Sequence, residues 1–102
     1  MGTYARHLEV ELKLLPTERS GRRGPVVSGL RTTFEAGAEE WDAFVILDPL
    51  EFLFPDEQGN AFLEFRAPEL TVRNLAPGQP FRLRDGPRVI ATGTVKRLVG
   101  LG

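Results

Sequence analysis

The closing stretch of the chain constrains the fold more than any other part of the sequence. Phe81 and Leu83 alternate with Arg82 and Arg84, so one side of this segment is apolar and the other side is basic. Alternation with a period of two residues is typical of a strand with one buried and one solvated face. The segment therefore predicts a half-buried strand.

A turn and a longer strand follow this segment. The tripeptide Asp85-Gly86-Pro87 favours a tight turn, because Asp accepts backbone hydrogen bonds, Gly permits a positive φ and Pro fixes φ where the next strand begins. The second strand extends from Arg88 to Val99, and Gly93 in its middle lets a coiled strand bend without a side chain in the way. The two strands predict the closing hairpin of a barrel or a sandwich.

Turn residues recur at intervals of about ten residues along the rest of the chain, which is typical of an all-β barrel or sandwich. The polar segment from Thr17 to Gly24 predicts a loop. Trp41, Phe44 and Val45 also fit a short helical stripe, but the apolar run that ends at Asp48-Pro49 favours a strand. The predicted strands before the hairpin are Leu8 to Leu14, Val26 to Phe34 with a bend at Gly29, Phe44 to Leu47, Leu50 to Phe54, Ala61 to Phe65, and Leu70 to Val72.

Size and composition bound the organisation of the chain. Its 102 residues, of which 41% are hydrophobic, suffice for one domain with one core. We expect a single domain over residues 7–102 and a disordered N-terminus over residues 1–6. The absence of cysteine excludes disulfides and Cys-based zinc sites, so we expect a cytoplasmic protein. No apolar run approaches the length of a membrane span, so we expect no membrane partner.

Catalytic chemistry has few candidates in this sequence. The single histidine, His7, starts a predicted strand with no cysteine and no nearby serine to activate. The carboxylates of Glu9 and Glu11 fit a solvated strand face better than an acid–base pair. The turn from Asp56 to Asn60 lacks the spacing of a known calcium loop. We therefore expect no enzymatic activity, no cofactor and no metal.

Two blocks of the sequence carry a family resemblance. The first extends from Glu9 to Phe34 and the second from Pro80 to Gly100. The residues concerned are Gly21, Arg22, Pro25, Gly29, Arg31 and Phe34 in the first block, and Phe81, Arg84, Gly86, Arg88, Gly93 and Val95 in the second. At these positions the chain resembles the third, C-terminal domain of the translation elongation factor Tu family, with Asp85 in place of a Glu.

This resemblance implies a six-stranded Greek-key β-barrel, which agrees with the strands predicted from alternation. The nucleotide-binding domain of the family is absent and the sequence has no Gly-rich phosphate loop, so GTP hydrolysis is not expected. In the family, the third domain packs on the nucleotide domain and contacts the T stem of aminoacyl-tRNA. At the positions that align with tRNA contacts, Asp85 keeps the acidic character and Gly86 is retained, while Thr33 and Asp42 replace a Gln and a Thr.

Two charged faces are candidate binding surfaces. The resemblance places the loop after the first strand near the closing hairpin, which would assemble a basic face. A second, acidic face surrounds a tryptophan, whose ring we expect in the core because Trp is strongly buried on average, although an exposed Trp would anchor a protein partner. The basic face comprises Arg22, Arg23, Arg82, Arg84, Asp85, Gly86 and Arg88, and the acidic face comprises Glu35, Glu39, Glu40, Trp41 and Asp42.

The net charge of the chain decides between a protein partner and a nucleic-acid partner. The chain carries 13 Lys and Arg against 14 Asp and Glu, a net charge of −1, so no overall attraction to nucleic acid is expected. We predict a non-enzymatic module that binds a protein partner through a charged face, for instance by competing for proteins that recognise the full elongation factor. The alternative is a tRNA-binding or RNA-binding accessory protein in translation. We expect a monomer or a weak homodimer joined at a strand edge.

Overall fold

The computed structural model describes residues 4–100, and strands dominate this range. The strands are β1 (Leu8–Leu14), β2 (Leu30–Ala36), β3 (Glu39–Leu47), β4 (Gln58–Phe65), β5 (Pro80–Asp85) and β6 (Arg88–Leu98). Helical turns are short: α1 (Thr17–Ser20) follows β1, and α2 (Pro68–Thr71) continues into a 3₁₀ turn (Val72–Asn74) between β4 and β5. Within residues 4–100, no helix has the length and apolar character needed to span a membrane.

The six strands close into an antiparallel barrel in the order β1-β4-β3-β2-β5-β6. Strands β2, β3 and β4 form a meander, and β1 lies beside β4, which is the arrangement of a Greek key. The ring closes where β1 pairs with β6, with Val10 opposite Val95 and Leu14 opposite Ala91. Of the barrel and the sandwich that the strand pattern allowed, the barrel is therefore confirmed, with the six strands that the resemblance implied.

Alternation directs the apolar side chains of each strand into the barrel. In β1, Leu8, Val10, Leu12 and Leu14 are fully buried, whereas Lys13 between the last two is exposed. Burying a side chain of this size stabilises the fold by about 2 kcal/mol. The four inward residues of β1 thus hold the strand predicted from Leu8 to Leu14 in the core.

Three aromatic rings join separate strands inside the core. The ring of Phe34 in β2 stacks on that of Phe81 in β5, with centroids 5.0 Å apart. Its other neighbour is Phe65 of β4, which it meets edge to face at 5.2 Å. Aromatic pairs in these arrangements add about 1 kcal/mol each beyond the area they bury. Phe34 therefore connects β2 to strands on both sides of it in the ring.

Gly93 marks a close approach between strands at the middle of β6. It lies opposite Leu12 of β1 and opposite Phe81 of β5. A Cβ atom here would collide with the backbone carbonyl oxygen of Glu11 and would lie 2.6 Å from Cζ of Phe81. The absence of a side chain therefore leaves the space that the Phe81 ring occupies.

Residues Leu70 to Val72 are helical, so the strand predicted there is wrong. Pro68 is the first residue of α2, where its fixed φ and missing N–H suit the start of a helix. The hydroxyl of Thr71 donates to the carbonyl oxygen of Ala67 at 3.3 Å and supports the turn. Alternation over so few residues does not distinguish a strand from a helical turn.

Residues Leu50 to Phe54 form no regular strand either. Leu53 makes a single bridge to Val26, in which the two backbones exchange hydrogen bonds of 2.8 and 3.1 Å. Both of these side chains are buried. One bridge that packs on the barrel thus replaces the strands predicted at Val26 and at Leu50 to Phe54. The polar loop predicted from Thr17 also differs, since it begins with α1.

The N-terminal residues of the described range contact the barrel. The backbone N–H of Ala5 donates to Oε2 of Glu64 at 3.1 Å, and Arg6 pairs with Asp48 at 2.6 Å. Of the six N-terminal residues predicted to be disordered, residues 1–3 lie outside the described residues.

Candidate interaction surface

Glu35 lies between two arginines of the neighbouring strand. In the register of the barrel it is opposite Arg82, and its Oε1 is 2.9 Å from Nη2 of that arginine. Its second oxygen, Oε2, is 2.9 Å from Nε of Arg84. Arg84 in turn extends Nη2 to within 3.0 Å of Oε1 of Glu40 on β3. Four charged groups of alternating sign thus connect β5, β2 and β3.

The positive charges of two neighbouring arginines keep the carboxyl group of Glu35 ionised. Only 14% of its side chain is exposed, and burial by itself raises the pKa of a carboxyl group. Attraction to Arg84 and Arg82 outweighs this effect and holds the pKa of Glu35 below its ordinary value of 4.5. The carboxylate is therefore ionised at neutral pH and keeps both arginines oriented.

A further ion pair extends this arrangement on the outer side of β2 and β3. Arg31 donates through Nη2 to Oδ2 of Asp42 at 2.8 Å, and both side chains are partly exposed. We call the whole set the ion-pair surface. It consists of Arg31, Glu35, Glu40, Asp42, Arg82 and Arg84.

A cleft of about 630 Å³ borders the ion-pair surface and shares Glu35 and Arg82 with it. Thr92 of β6 lies between Lys13 of β1 and Arg82 of β5 in the register, so a short side chain separates two long cationic ones. Two residues further along β6, on the same outer face of the barrel, Thr94 lies opposite Glu11 of β1. Volumes of this size are typical of ligand sites, and these charges of both signs line the cleft.

The loop after β1 lies beside the closing hairpin, as expected. Nη1 of Arg22 is 3.9 Å from Oδ2 of Asp85, and Nη1 of Arg88 donates to the carbonyl oxygen of Ser20 at 3.5 Å. Arg23 is exposed and has no ion pair or hydrogen bond within residues 4–100. The arginines on this side therefore point mainly to groups of their own chain.

Gly86 completes the turn of the closing hairpin. Its φ of 62° is in the left-handed region that glycine adopts without strain, and its carbonyl oxygen accepts a hydrogen bond of 2.9 Å from Nη1 of Arg84. The turn thus helps to fix the arginine that joins the two predicted faces.

Trp41 is neither a core residue nor a fully exposed one. It is half-buried on β3 opposite Phe34 and packs against the core. Together with Leu70 and Leu75 it lines a cavity of about 120 Å³ at the helical turns. Glu39 starts β3 and is exposed, without an ion pair within the described residues.

Arg22, Arg23 and Arg88 of the predicted basic face and Glu39 and Trp41 of the predicted acidic face lie outside the ion-pair surface. Arg82 and Arg84 of the basic face do meet Glu35 and Glu40 of the acidic face, so part of each predicted face forms one surface. Sequence reasoning missed this because the acids of β2 and β3 and the arginines of β5 are far apart in the chain. It also missed the cleft residues Lys13, Thr92 and Thr94. Outward alternation on β1 and on β6 was a usable signal for them, but their proximity depends on the strand order.

His7 has a structural contact in the barrel. Its Nδ1 accepts a hydrogen bond of 3.0 Å from the backbone N–H of Phe65, and the ring is buried. Within residues 4–100, no three His, Cys, Asp or Glu side chains are grouped so as to hold a metal ion.

Comparisons with known proteins give no family for this chain. No protein-family model matches it, and no curated protein matches it.

Proposed function

We propose that this protein is a non-enzymatic binding module, similar to an isolated third domain of elongation factor Tu, which holds a protein partner on the ion-pair surface. The observation that carries the proposal is the position of Glu35 between Arg82 and Arg84, at the edge of a cleft of about 630 Å³. Groups of both signs, fixed by one another on three strands, suit a protein surface that presents charges of both signs.

An RNA partner is less well supported by these contacts. The arginines that would bind phosphate are already next to carboxylates: Arg82 and Arg84 at Glu35, and Arg22 at Asp85. A phosphate would have to displace these carboxylates, or bind beside them against their repulsion. The net charge of −1 adds no general attraction.

The resemblance suggests which proteins to test first. A domain of this kind would compete for proteins that recognise the complete elongation factor, such as a toxin or an exchange factor. Such competition requires only a surface of the right shape and charge. It does not require nucleotide binding, for which the chain has no Gly-rich phosphate loop.

A matched pair of charge reversals tests the ion-pair surface. Arg82 and Arg97 are both exposed arginines that pair with a glutamate whose side chain is 14% exposed, Glu35 and Glu9 respectively. We expect Arg82→Glu to weaken binding by about tenfold or more and Arg97→Glu to leave it unchanged. The partner is captured from an extract of the source cells, identified, purified and then titrated against both variants.

Titration of the same protein with bulk tRNA separates the two classes of partner. We expect no binding at micromolar concentrations between about 50 and 200 mM salt. Micromolar binding that falls steeply with salt and is lost in Arg22→Ala with Arg23→Ala would replace the protein partner with RNA. Equal loss of the captured partner in Arg82→Glu and Arg97→Glu would contradict the assignment to the ion-pair surface.

A further inference from the structure

A pair of phenylalanines is exposed outside the barrel, between β3 and β4. Phe52 and Phe54 have 49% and 47% of their surface accessible, and their ring centroids are 6.2 Å apart. Large apolar side chains grouped at a surface in this way mark contact sites in soluble proteins. Neither residue belongs to the ion-pair surface or to the cleft.

The backbone bridge between Leu53 and Val26 explains why these rings face outward. Both bridge residues are directed into the core, and successive side chains of an extended segment point to opposite sides. Phe52 and Phe54 therefore point away from the barrel. Val27, which follows the buried Val26, is 45% exposed for the same reason. We call these three residues the aromatic patch.

Acidic residues flank the aromatic patch along its own segment. Residues 48–57 contain four acids and no lysine or arginine. Asp48 pairs with Arg6, Asp56 pairs with Lys13, and Glu57 accepts a hydrogen bond from the backbone N–H of Phe54. The fourth acid, Glu51, precedes Phe52 in the chain and is exposed.

Glu51 is the acid left for a partner. Within residues 4–100 it has no ion pair or hydrogen bond, in contrast to the other three acids of the segment. On the opposite side of the bridge, Arg22 is turned toward Asp85 and the carbonyl oxygen of Pro25, and Arg23 is exposed. The segment that carries the rings therefore has two carboxylates without a cationic partner within residues 4–100, Glu51 and Glu57, and the carboxylate of Glu57 lies at the backbone of Phe54.

We propose that the aromatic patch binds a basic amphipathic segment of a partner protein, with its apolar side chains on Phe52, Phe54 and Val27 and a lysine or arginine at Glu51. Aromatic residues that lose their remaining exposed area at an interface carry a large share of the binding free energy. The acid next to them favours a cationic segment over a neutral or acidic one. This surface is additional to the ion-pair surface and does not depend on it.

Two synthetic peptides test the proposal on the full chain. One combines leucine and lysine in a helical amphipathic pattern over about 15 residues, the length at which an isolated helix becomes stable, and the other has glutamate in place of lysine. We expect the lysine peptide alone to bind in a fluorescence anisotropy titration. Phe52→Ser with Phe54→Ser should lower its affinity about tenfold or more, and Glu51→Gln about threefold.

Matched substitutions control for exposure and for charge. Leu70 is 64% exposed on α2, at the other end of the barrel, so Leu70→Ser should leave the affinity unchanged. Arg23→Gln removes a nearby charge of the opposite sign and should not weaken binding. Arg82→Glu, which tests the ion-pair surface, should bind the lysine peptide with unchanged affinity. The two proposals can therefore fail separately.

Four results would overturn the aromatic patch as a site for a basic segment. They are no binding of the lysine peptide, equal binding of the glutamate peptide, an equal loss of affinity in Leu70→Ser, and a self-association of the protein that the two serine substitutions abolish. The last result would show that a second copy of the chain covers the patch. Because Glu51→Gln changes only an exposed side chain, it keeps the test valid if the double variant folds poorly.

Discussion

Glu35 and Glu9 show how the barrel keeps charged groups at positions where little of the side chain is exposed. Burial by itself raises the pKa of Glu9, but the hydrogen bond from Arg97 and the nearby charges outweigh it, and the pKa is lowered. Glu35 follows the same rule with Arg84 and Arg82. The cations that pair with each carboxylate keep it ionised, Arg97 and Lys96 at Glu9 and Arg82 and Arg84 at Glu35. Because both pKa values are lowered in the folded chain, the contribution of each carboxylate to stability depends on pH.

Glu35→Gln tests this dependence. Because the pKa of Glu35 is lower in the folded chain than its ordinary value of 4.5, its ion pairs stabilise the fold above that value and are lost as pH falls through the folded pKa. We expect the wild type to be more stable than the variant at neutral pH and the difference to shrink well below pH 4.5. Urea denaturation at both pH values measures it.

Glu39→Gln is the control for this measurement, since Glu39 is exposed and has no ion pair within the described residues. Glu9 is present in every variant, so its own titration cancels in the differences. A gap between wild type and Glu35→Gln that stays constant with pH would contradict the account.

Gly93→Ala tests the close approach in β6. The added Cβ would meet the backbone of Glu11 and the ring of Phe81, and the backbone cannot move aside without disturbing the seam between β1 and β6. We expect a loss of about 1–3 kcal/mol in the free energy of unfolding, as for other overpacked cores. Gly24→Ala, with no atom within 4 Å of its Cβ, should change stability little. Equal effects of the two substitutions would contradict the packing argument.

At the scale of the elements, the seams between strands differ in extent. The β1–β6 ladder runs from Leu8 to Leu14 with one irregularity, whereas β2 and β5 pair only from Thr33 to Glu35. Two sets of side-chain contacts cross this shorter ladder. The ion pairs of Glu35 cross it on the outer side of the barrel, and the stack of Phe34 on Phe81 crosses it on the inner side. The side chains therefore support the seam that has the fewest backbone bonds.

Hydrogen exchange of the native barrel should follow this order. Amides that face one another between β2 and β5 are expected to exchange faster than those between β1 and β6, because a short ladder opens at a lower free energy. Phe34→Ala should lower the free energy of unfolding by about 3–5 kcal/mol and increase the exchange at the β2–β5 seam. Uniform protection of both seams would contradict this order.

Alternation was sufficient to predict the strands whose pattern continues over a full length, such as β1 from Leu8 to Leu14. It was not sufficient where a few residues alternate, as at Leu70 to Val72, because Pro68 and Thr71 form a helical turn there. The charged residues of both candidate faces could be named from the sequence. That residues of the two faces lie together could not be predicted, because Glu35 meets Arg82 only through the pairing of β2 with β5.

At the scale of the whole molecule, closure of the ring makes the barrel one unit. The first and last strands are paired, and β3, which carries Trp41, is on the opposite side of the ring from β6. Loss of packing at β6 should therefore be felt at Trp41, because it leaves β1 and β5 each with an unpaired edge and opens the core that all six strands share.

Val95→Ala tests this cooperativity. Val95 is buried in β6, and removal of two methyl groups should lower the free energy of unfolding by roughly 2 kcal/mol. We expect the midpoint measured from Trp41 fluorescence and the midpoint measured from far-UV circular dichroism to shift equally. Separate midpoints would show that the half of the barrel around β3 unfolds by itself.

The pairing of β1 with β6 also brings two distant points of the chain together. The backbone N–H of Val99 donates to the carbonyl oxygen of His7 at 2.9 Å, so a short linker would join Gly100 to the start of β1. New ends could then be opened at the exposed turn around Gly37, where no atom is within 4 Å of an added Cβ. The same ring would form in this circularly permuted order. With the start of β1 beside the end of β6, the barrel would also be suitable for insertion into a surface loop of another protein, and its outer surfaces would remain accessible there.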